Sequence, residues 1–548
     1  MCGIAGIFAS GPVDEDLLRR MTASLRHRGP DDENVWIDGA AGVGLGHRRL
    51  AVLDLSPAGR QPMASACGRY VLTLNGEIYN HVDLRAALDG PCGPRWRGRS
   101  DTEALVEAIA HWGLEAALGR CAGMFALGLW DKKERKLSLA RDRFGEKPLY
   151  YGQLGRDFAF ASELRALRLH PDFDPAIDRR ALGLLAARAY VPAPHAIHAC
   201  IRKLEPGAIL TVEAGGEPRL RRFWSYREVL ESGLADPWRD RREAGEAIEK
   251  AIALAVREQA VADVPVGLFL SGGIDSSAVA ALHRAHAGAP PRTFSIGFEE
   301  AGFDESAHAE QVARRLGAEH SSRTLTAADA LALIPELPDI YDEPFADPAQ
   351  MPTLLLARFA RERVTVALTG DGGDELFGGY ARYRHAARLA RFARLLPARR
   401  SLSGLRRLPL AASIDRTLAH VGRAGDLASL YPSYRDSWTG EPSPVIGAEE
   451  DERLDLDVAG AVCDAVRIDR CARQRERCHE QAEKKPGNSG PIARNTSEMQ
   501  RIGHLADAPQ GAEAEKNGAS SVHTIALCIP MLSASASCSA PRSPAQAR

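Results

Sequence analysis

Apolar and polar positions along the 548-residue chain change their period partway. Up to about residue 195, short alternating runs dominate. Tyr70-Val71-Leu72-Thr73-Leu74 alternates and is rich in strand formers, so it predicts a strand. Met124 to Trp130 and Lys136 to Ala140 flank the charged stretch Asp131-Lys132-Lys133-Glu134-Arg135, which predicts a hairpin. Phe158-Ala159-Phe160-Ala161 predicts a further strand. Thr102 to Trp112 has helical spacing, with Leu105, Ile109 and Trp112 apolar. Hairpin strands with helices set apart predict a layered α+β domain over 1–195. Residues 196–242 read as a connector with short strands such as Ala208 to Val212 and a basic stretch near Trp238. From about 243 helices and strands alternate: Glu246 to Gln259, Val264 to Leu270, a Gly-rich loop and helix, Thr293 to Phe298, Glu305 to Leu316, and Val364 to Leu368. That order predicts an α/β domain with a doubly wound parallel sheet over 243–450. Residues 381–435 read as helical and Arg-rich, and no internal repeat is found.

Composition adds exclusions. Seventy basic residues against 72 acidic ones leave a formal charge of -2, which gives no electrostatic reason to expect nucleic acid or an anionic membrane as partner. No run of 18 apolar residues predicts a membrane span, and Met1 to Gly6 lacks the basic region and long apolar core of a secretory signal. A soluble cytoplasmic protein is the expectation. The ten cysteines form no Cys-x-x-Cys pair, so a metal knuckle is not expected, and cytosolic thiols stay reduced. The last hundred residues differ from the rest. All 33 aromatics lie at or before Trp438, while five of the ten cysteines lie after residue 450.

Three places carry candidate chemistry. Removal of Met1 would set the Cys2 thiol beside a free α-amine with a reference pKa of about 8, able to act as base for its own side chain. The thiolate is the species that attacks an amide carbonyl. Taken alone, a cysteine at position two is more readily an accident of sequence. Asn75-Gly76 after a strand reads locally as a type I′ hairpin turn, which would leave its donors exposed. Leu270-Ser271-Gly272-Gly273-Ile274-Asp275-Ser276-Ser277 runs from an apolar strand into a helix. Its glycines allow close backbone approach to phosphate, and N–H groups at a helix start favour an anion. The Lys of a Walker A loop is missing. Asp275 is a hard oxygen donor suited to Mg²⁺. Leu368-Thr369-Gly370-Asp371-Gly372-Gly373-Asp374-Glu375 also follows a strand, so both loops belong at the carboxyl edge of one sheet, where ligands bind. A Gly-rich turn acting only as a connector is the plainer alternative.

Five blocks, in order, resemble the class II glutamine amidotransferases, which use an N-terminal cysteine on an αββα sandwich of the N-terminal-nucleophile type. They are Met1-Cys2-Gly3-Ile4-Ala5-Gly6-Ile7-Phe8, Leu25-Arg26-His27-Arg28-Gly29-Pro30-Asp31, His47-Arg48-Arg49-Leu50-Ala51-Val52-Leu53-Asp54, Asn75-Gly76-Glu77-Ile78-Tyr79-Asn80 and Ser100-Asp101-Thr102-Glu103. The two Gly-rich loops, with Asp342-Glu343-Pro344-Phe345-Ala346-Asp347-Pro348, extend the resemblance to glutamine-hydrolysing asparagine synthetases, with an ATP-pyrophosphatase domain, over about residues 1–450. The resemblance implies Cys2 as nucleophile, with the Asn75 side chain and the Gly76 N–H as oxyanion donors. It implies Arg49, rather than Arg48, on the glutamine α-carboxylate, Glu77 and Asp101 facing its ammonium, and Leu53 in the same pocket. For ATP it implies Leu270, Ser271, Gly272, Gly273, Asp275, Ser276, Ile296, Thr369 and Gly370. Asp275 and Asp374 would hold Mg²⁺ and pyrophosphate, Asp371 would help form the acyl-adenylate, and residues 342–348 would help build the acceptor pocket. Glutamine, aspartate and ATP are then the partners, and a homodimer is left open. The implied reaction adenylates aspartate to β-aspartyl-AMP, which ammonia from the Cys2 site converts to asparagine.

Two features keep alternatives open. The same half-sites serve other carboxylate acceptors, such as a uronic acid of a surface polysaccharide. The family's later Lys-Val-Asp-Arg-type motif is echoed only faintly by Arg467-Ile468-Asp469-Arg470. Residues 451–548 lack a sustained helical or strand period and are expected to be disordered, through a shifted reading frame or as a lineage-specific tail. In the first case only the glutaminase half would remain active.

Overall fold

The computed structural model describes residues 1–90, 93–299, 302, 304–380, 383 and 523–525. The expected Arg-rich helices of 381–435, apart from Tyr383, and the expected tail, apart from 523–525, lie outside the described residues. Among the described residues, 1–181 and 191–373 form one compact unit with 523–525, and 182–190 with those from 374 on fall in a second.

The N-terminal part of the first unit holds two six-stranded antiparallel sheets. One runs Arg202–Lys203, Tyr150–Leu154, Asp157–Ala161, Gly3–Phe8, Val43–Arg49, Asp32–Asp38. The other runs Arg219–Arg222, Ala208–Glu213, Lys136–Arg141, Gly123–Asp131, Tyr70–Ile78, Met63–Ala64. Inward side chains of both meet in one core, with Ile4, Val43, Leu45 and Phe160 against Val71, Trp130, Leu139 and Leu210. The far face of the second sheet (Leu72, Leu74, Phe125, Leu127) packs on the helix Asp101–Trp112 through Leu105, Val106 and Ile109. Ser100 caps that helix by accepting from the Glu103 N–H. On the outer face of the first sheet, the helix Glu15–Ala23 lies so close to Val43–Arg49 that a Cβ on Gly46 would stand 2.0 Å from Thr22 Oγ1. The layers are thus helix, sheet, sheet, helix, as the expected αββα sandwich requires. Between the sheets, a Cβ on Gly6 would fall 2.2 Å from the Phe160 ring, and one on Gly128 2.5 Å from it. The ring therefore occupies a slot that two glycines, one from each sheet, leave open.

Residues expected as a connector belong in part to this sandwich, because Arg202–Lys203, Ala208–Glu213 and Arg219–Arg222 extend its two sheets. Asn75-Gly76 is not a hairpin turn. Both residues sit inside Tyr70–Ile78, opposite Ala126 and Phe125. Long-range pairing with Gly123–Asp131 overrides the local turn preference.

The α/β part carries an all-parallel sheet in the order Glu319–Leu325, Arg292–Phe298, Val266–Phe269, Val366–Leu368, His523–Ile525. Three residues of the expected disordered tail thus supply an edge strand. The helices Arg241–Gln259, Ile274–His286 and Ser306–Leu316 cover one face through Val256, Val279, Ala280, Ala309 and Ala313. The helix Gln350–Arg361 covers the other, with Ala360 beside Phe294 and Ala367. Both faces are covered, which is why the central strands Val266–Phe269 and Val366–Leu368 read as short apolar runs, whereas the edge strand Glu319–Leu325 is polar. Among the described residues no helix is long and apolar enough to cross a membrane.

Candidate active site

Cys2 directly precedes the central strand Gly3–Phe8, and its half-buried Sγ lies 3.5 Å from the Leu50 N–H nitrogen and 3.7 Å from the Leu50 carbonyl oxygen. A pocket opens there, lined by Met1, Arg49, Leu53, Gly76, Glu77 and Asp101 among others. Burial pushes the Cys2 thiol up, opposed by the neighbouring N-terminal amine. Burial pushes that amine, here on Met1, down to about 5, so at neutral pH it is unprotonated and able to take a proton.

Tyr70–Ile78 brings Asn75, Gly76 and Glu77 to one edge of the pocket. Asn75 is fully buried, yet among the described residues neither its Oδ1 nor its Nδ2 has a hydrogen-bond partner. A buried amide without partners is costly unless something arrives to use it. Gly76 has φ of +155°, and a Cβ there would sit 2.0 Å from the Met124 carbonyl oxygen, so only glycine fits.

The structure separates the two neighbouring arginines. Arg48 is committed to an ion pair with Glu33 and to the Gly29 carbonyl. Among the described residues Arg49 donates to the main-chain carbonyls of Leu53, Asp54 and Ser56. Gly59 makes room for it, since a Cβ there would stand 2.0 Å from Arg49 Nη2. This buried cation lines the pocket, and the Asp54 carboxylate lies near enough to feel its charge. Opposite, Asp101 accepts from the Ile78 and Thr102 N–H groups. Burial raises its carboxyl, which the Ile78 N–H opposes and Glu77 reinforces. Burial lifts Glu77 to about 7. An ammonium placed between these two carboxylates would repay their desolvation.

The second constellation lies at the carboxyl edge of the parallel sheet. Val266–Phe269 and Val366–Leu368 are paired neighbours, so the loops after them emerge side by side. The first is shaped by its own serines, with Ser271 Oγ 3.0 Å from Ser276 Oγ and the Gly273 N–H donating to Ser271 Oγ at 3.2 Å. Gly272 has φ of +79°, and Gly273 opens the helix Ile274–His286. Gly370 packs against the first loop so closely that a Cβ would lie 2.7 Å from the Ser276 nitrogen. A Cβ on Gly373 would lie 2.6 Å from the Asp275 carboxyl carbon. Leu270 and Thr369 are buried beneath the loops, while Ile296 sits on the adjacent strand Arg292–Phe298. Asp371 is exposed, its N–H donating to Thr369 Oγ1 at 3.3 Å. Asp374 stands in the first turn of the short helix Gly373–Phe377, within the second unit.

Both parts of the chain match known families. A family model described as a glutamine amidotransferase domain matches residues 1–224, and one described as asparagine synthase matches 247–505. A Mycobacterium tuberculosis protein provisionally named asparagine synthetase (glutamine-hydrolyzing) is 37% identical over 478 residues, covering 80% of this chain and 72% of its own. The chain belongs to the glutamine-hydrolysing asparagine synthetase family. Asparagine synthetase (glutamine-hydrolyzing) 1 of Bacillus subtilis is 36% identical, over 72% of this chain and 61% of its own. A Methanocaldococcus jannaschii relative, also provisionally named, is 34% identical over 75% and 83%.

For this synthetase-family chain, the structure gathers Cys2, Arg49, Leu53, Gly76, Glu77 and Asp101 around one pocket and buries Asn75 in the strand beside it. Two things differ from expectation. Gln61 and Thr102 also line the pocket, linked by a hydrogen bond from Gln61 Nε2 to Thr102 Oγ1, and Gln61 Oε1 accepts from the Leu74 N–H at 2.7 Å. Thr102 was within reach of sequence reasoning as the neighbour of Asp101, whereas Gln61 carried no local signal. The second difference concerns Asp342 and Glu343. Their carboxylates accept from the Arg165 and Ile197 N–H groups of the N-terminal sandwich.

Proposed function

We propose that this protein makes asparagine from aspartate, ATP and glutamine. Cys2 attacks the glutamine side-chain amide, and the α-amine beside it takes the thiol proton once Met1 is removed. Arg49 binds the α-carboxylate of glutamine while Glu77 and Asp101 bind its ammonium. Asn75 Nδ2 and the Gly76 N–H donate to the tetrahedral oxyanion. Expelled ammonia is consumed at the α/β domain, where the loops at 270–277 and 369–374 bind ATP and Asp371 assists aspartate adenylation. Within this proposal the sandwich and the α/β domain are separate catalytic halves.

The observation that carries the reading is the buried Asn75 amide, without partners among the described residues, beside a pocket that holds a thiol, a buried cation bonded to main-chain carbonyls, and two buried acids. That set matches the thioester oxyanion and the zwitterionic head of glutamine.

A magnesium ion fits the second site in one way. Asp275 supplies a hard carboxylate beside the cradle. Among the described residues no cluster of three or more acidic, His or Cys ligands forms. Mg²⁺ bound through one or two carboxylates, with nucleotide phosphates completing its sphere, matches that set. Bound there, it would neutralise phosphate charge.

The test is glutamate and pyrophosphate release by the full chain with glutamine, Mg-ATP and aspartate, alongside Cys2→Ala. Aspartate-dependent pyrophosphate together with glutamate, the latter lost in Cys2→Ala, is the expected result. Glutamate released without aspartate-dependent pyrophosphate would refute aspartate as the acceptor.

A further inference from the structure

A line of alternating charges leads from the Cys2 main chain into the α/β domain. Arg28 Nε donates to the Cys2 carbonyl at 2.9 Å, and its Nη1 donates to Glu163 Oε1 at 2.7 Å. Glu163 Oε2 lies 2.9 Å from Arg165 Nε. The Arg165 N–H donates to both carboxylate oxygens of Asp342 at 3.0 Å. The side chains of Arg28, Glu163 and Asp342 are each nine-tenths or more buried. Asp342 joins the helix Leu337–Ile340 to the helix Gln350–Arg361, which carries one face of the parallel sheet.

We propose that Asp342 is a positioning residue for Cys2, so that the placement of the α/β domain is felt at the glutaminase nucleophile through Arg165, Glu163 and Arg28. The inference deepens the proposed function and rests on it. The physical reason is charge balance in a dry setting. Glu163 is shared by Arg28, Arg165 and His27, Arg165 Nε stands 3.6 Å from the Asp342 carboxylate, and such a network is not a sum of independent pairs. Without the Asp342 charge, Arg165 draws Glu163 toward itself and away from Arg28. Arg28 can then let go of the Cys2 carbonyl, because its Nη2 is buried and, among the described residues, has no partner to hold it in place. Glu343, the next residue, makes a parallel contact to the Ile197 N–H and to Lys203 that does not lead to Arg28. It is the internal control.

The experiment uses the full chain and measures glutaminase kcat, glutamine KM and melting temperature for Asp342→Asn, Glu343→Gln, Arg28→Lys and the double variant Arg28→Lys/Asp342→Asn. Asn keeps the shape and one acceptor but not the charge. A small displacement of a nucleophile is expensive, so kcat should fall about tenfold in Asp342→Asn. KM should stay within about twofold, since Arg49 and Asp101 are untouched. Glu343→Gln should leave kcat within about twofold, and Asp342→Asn should cost less than about threefold once Arg28→Lys has cut the row. Equal losses in Asp342→Asn and Glu343→Gln, or a full tenfold loss in both Arg28 backgrounds, would overturn the proposal. So would an unchanged kcat. A parent chain that releases no glutamate would instead refute the glutaminase reading. The rates of Cys2 alkylation by iodoacetamide in the same variants would then decide the row, with the same pattern expected and equal rates overturning it.

Discussion

Replacing Asn75 by Leu separates a catalytic amide from a structural one. Leu has nearly the shape of Asn, so the strand Tyr70–Ile78 keeps its packing. In the free protein no hydrogen bond is lost, because neither polar atom of the amide has a partner among the described residues. What is lost is the cost of burying an unsatisfied amide, about 1–3 kcal/mol. Against that stands a shape mismatch of less than about 1.5 kcal/mol. The folded state should therefore be as stable as the parent or slightly more so. Catalysis should move the other way, since loss of one oxyanion donor costs about 10²–10³ in kcat, or roughly 2.7–4 kcal/mol. Glutamine KM should change little, because the head-group contacts remain. Glutamate release against glutamine concentration, paired with a thermal melt, reads both quantities. A kcat within about threefold of the parent would refute the oxyanion role. A loss of more than about 2 kcal/mol of stability would show that the amide holds the fold together.

Three further outcomes follow from the same geometry. Arg49→Lys should raise glutamine KM by about tenfold or more by losing the two-pronged grip on a carboxylate, whereas Arg48→Lys, altered at its Glu33 pair, should raise it far less; steady-state kinetics compares them. Glutaminase kcat/KM should rise with pH through about 7 as Glu77 ionises and attracts the glutamine ammonium. Because burial raises this carboxyl, its charge is absent below that pH, and Glu77→Gln should remove the limb near 7 and leave only a rise at higher pH from Cys2. Gly370→Ala would drive a methyl group toward the Ser276 nitrogen 2.7 Å away, so ATP–pyrophosphate exchange should fall about a hundredfold while glutamate release stays within about threefold.

The parts of this molecule that repeat a local rule were legible in its sequence. The helix expected over Thr102 to Trp112 is Asp101–Trp112, and the strand expected over Thr293 to Phe298 is Arg292–Phe298. Both carry their period within a dozen residues. The pocket was legible because its chemistry sits in compact blocks around Cys2, Arg49, Glu77 and Asp101. What escaped depends on distant partners. Asn75-Gly76 satisfies a turn rule locally, but the strand Gly123–Asp131 captures it. Arg219–Arg222 is exposed and basic, so no alternation marks it as a strand, and only the edge of Ala208–Glu213 makes it one. The side chains of Asp342 and Glu343 turn to the sandwich because Arg165 and Ile197 offer N–H groups there, which no local pattern reveals.

The Phe160 slot ties together three positions that are far apart in the chain. Gly6 and Gly128 are small because the ring lies between them. Among relatives, these sites should therefore vary as a set. A chain that carries Ala or Ser at either glycine position should carry a smaller residue than Phe at the third, and a chain that keeps the ring should keep both glycines. An engineered exchange has the same logic. Gly128→Ala alone should be poorly tolerated, and pairing it with Phe160→Leu should recover part of the loss.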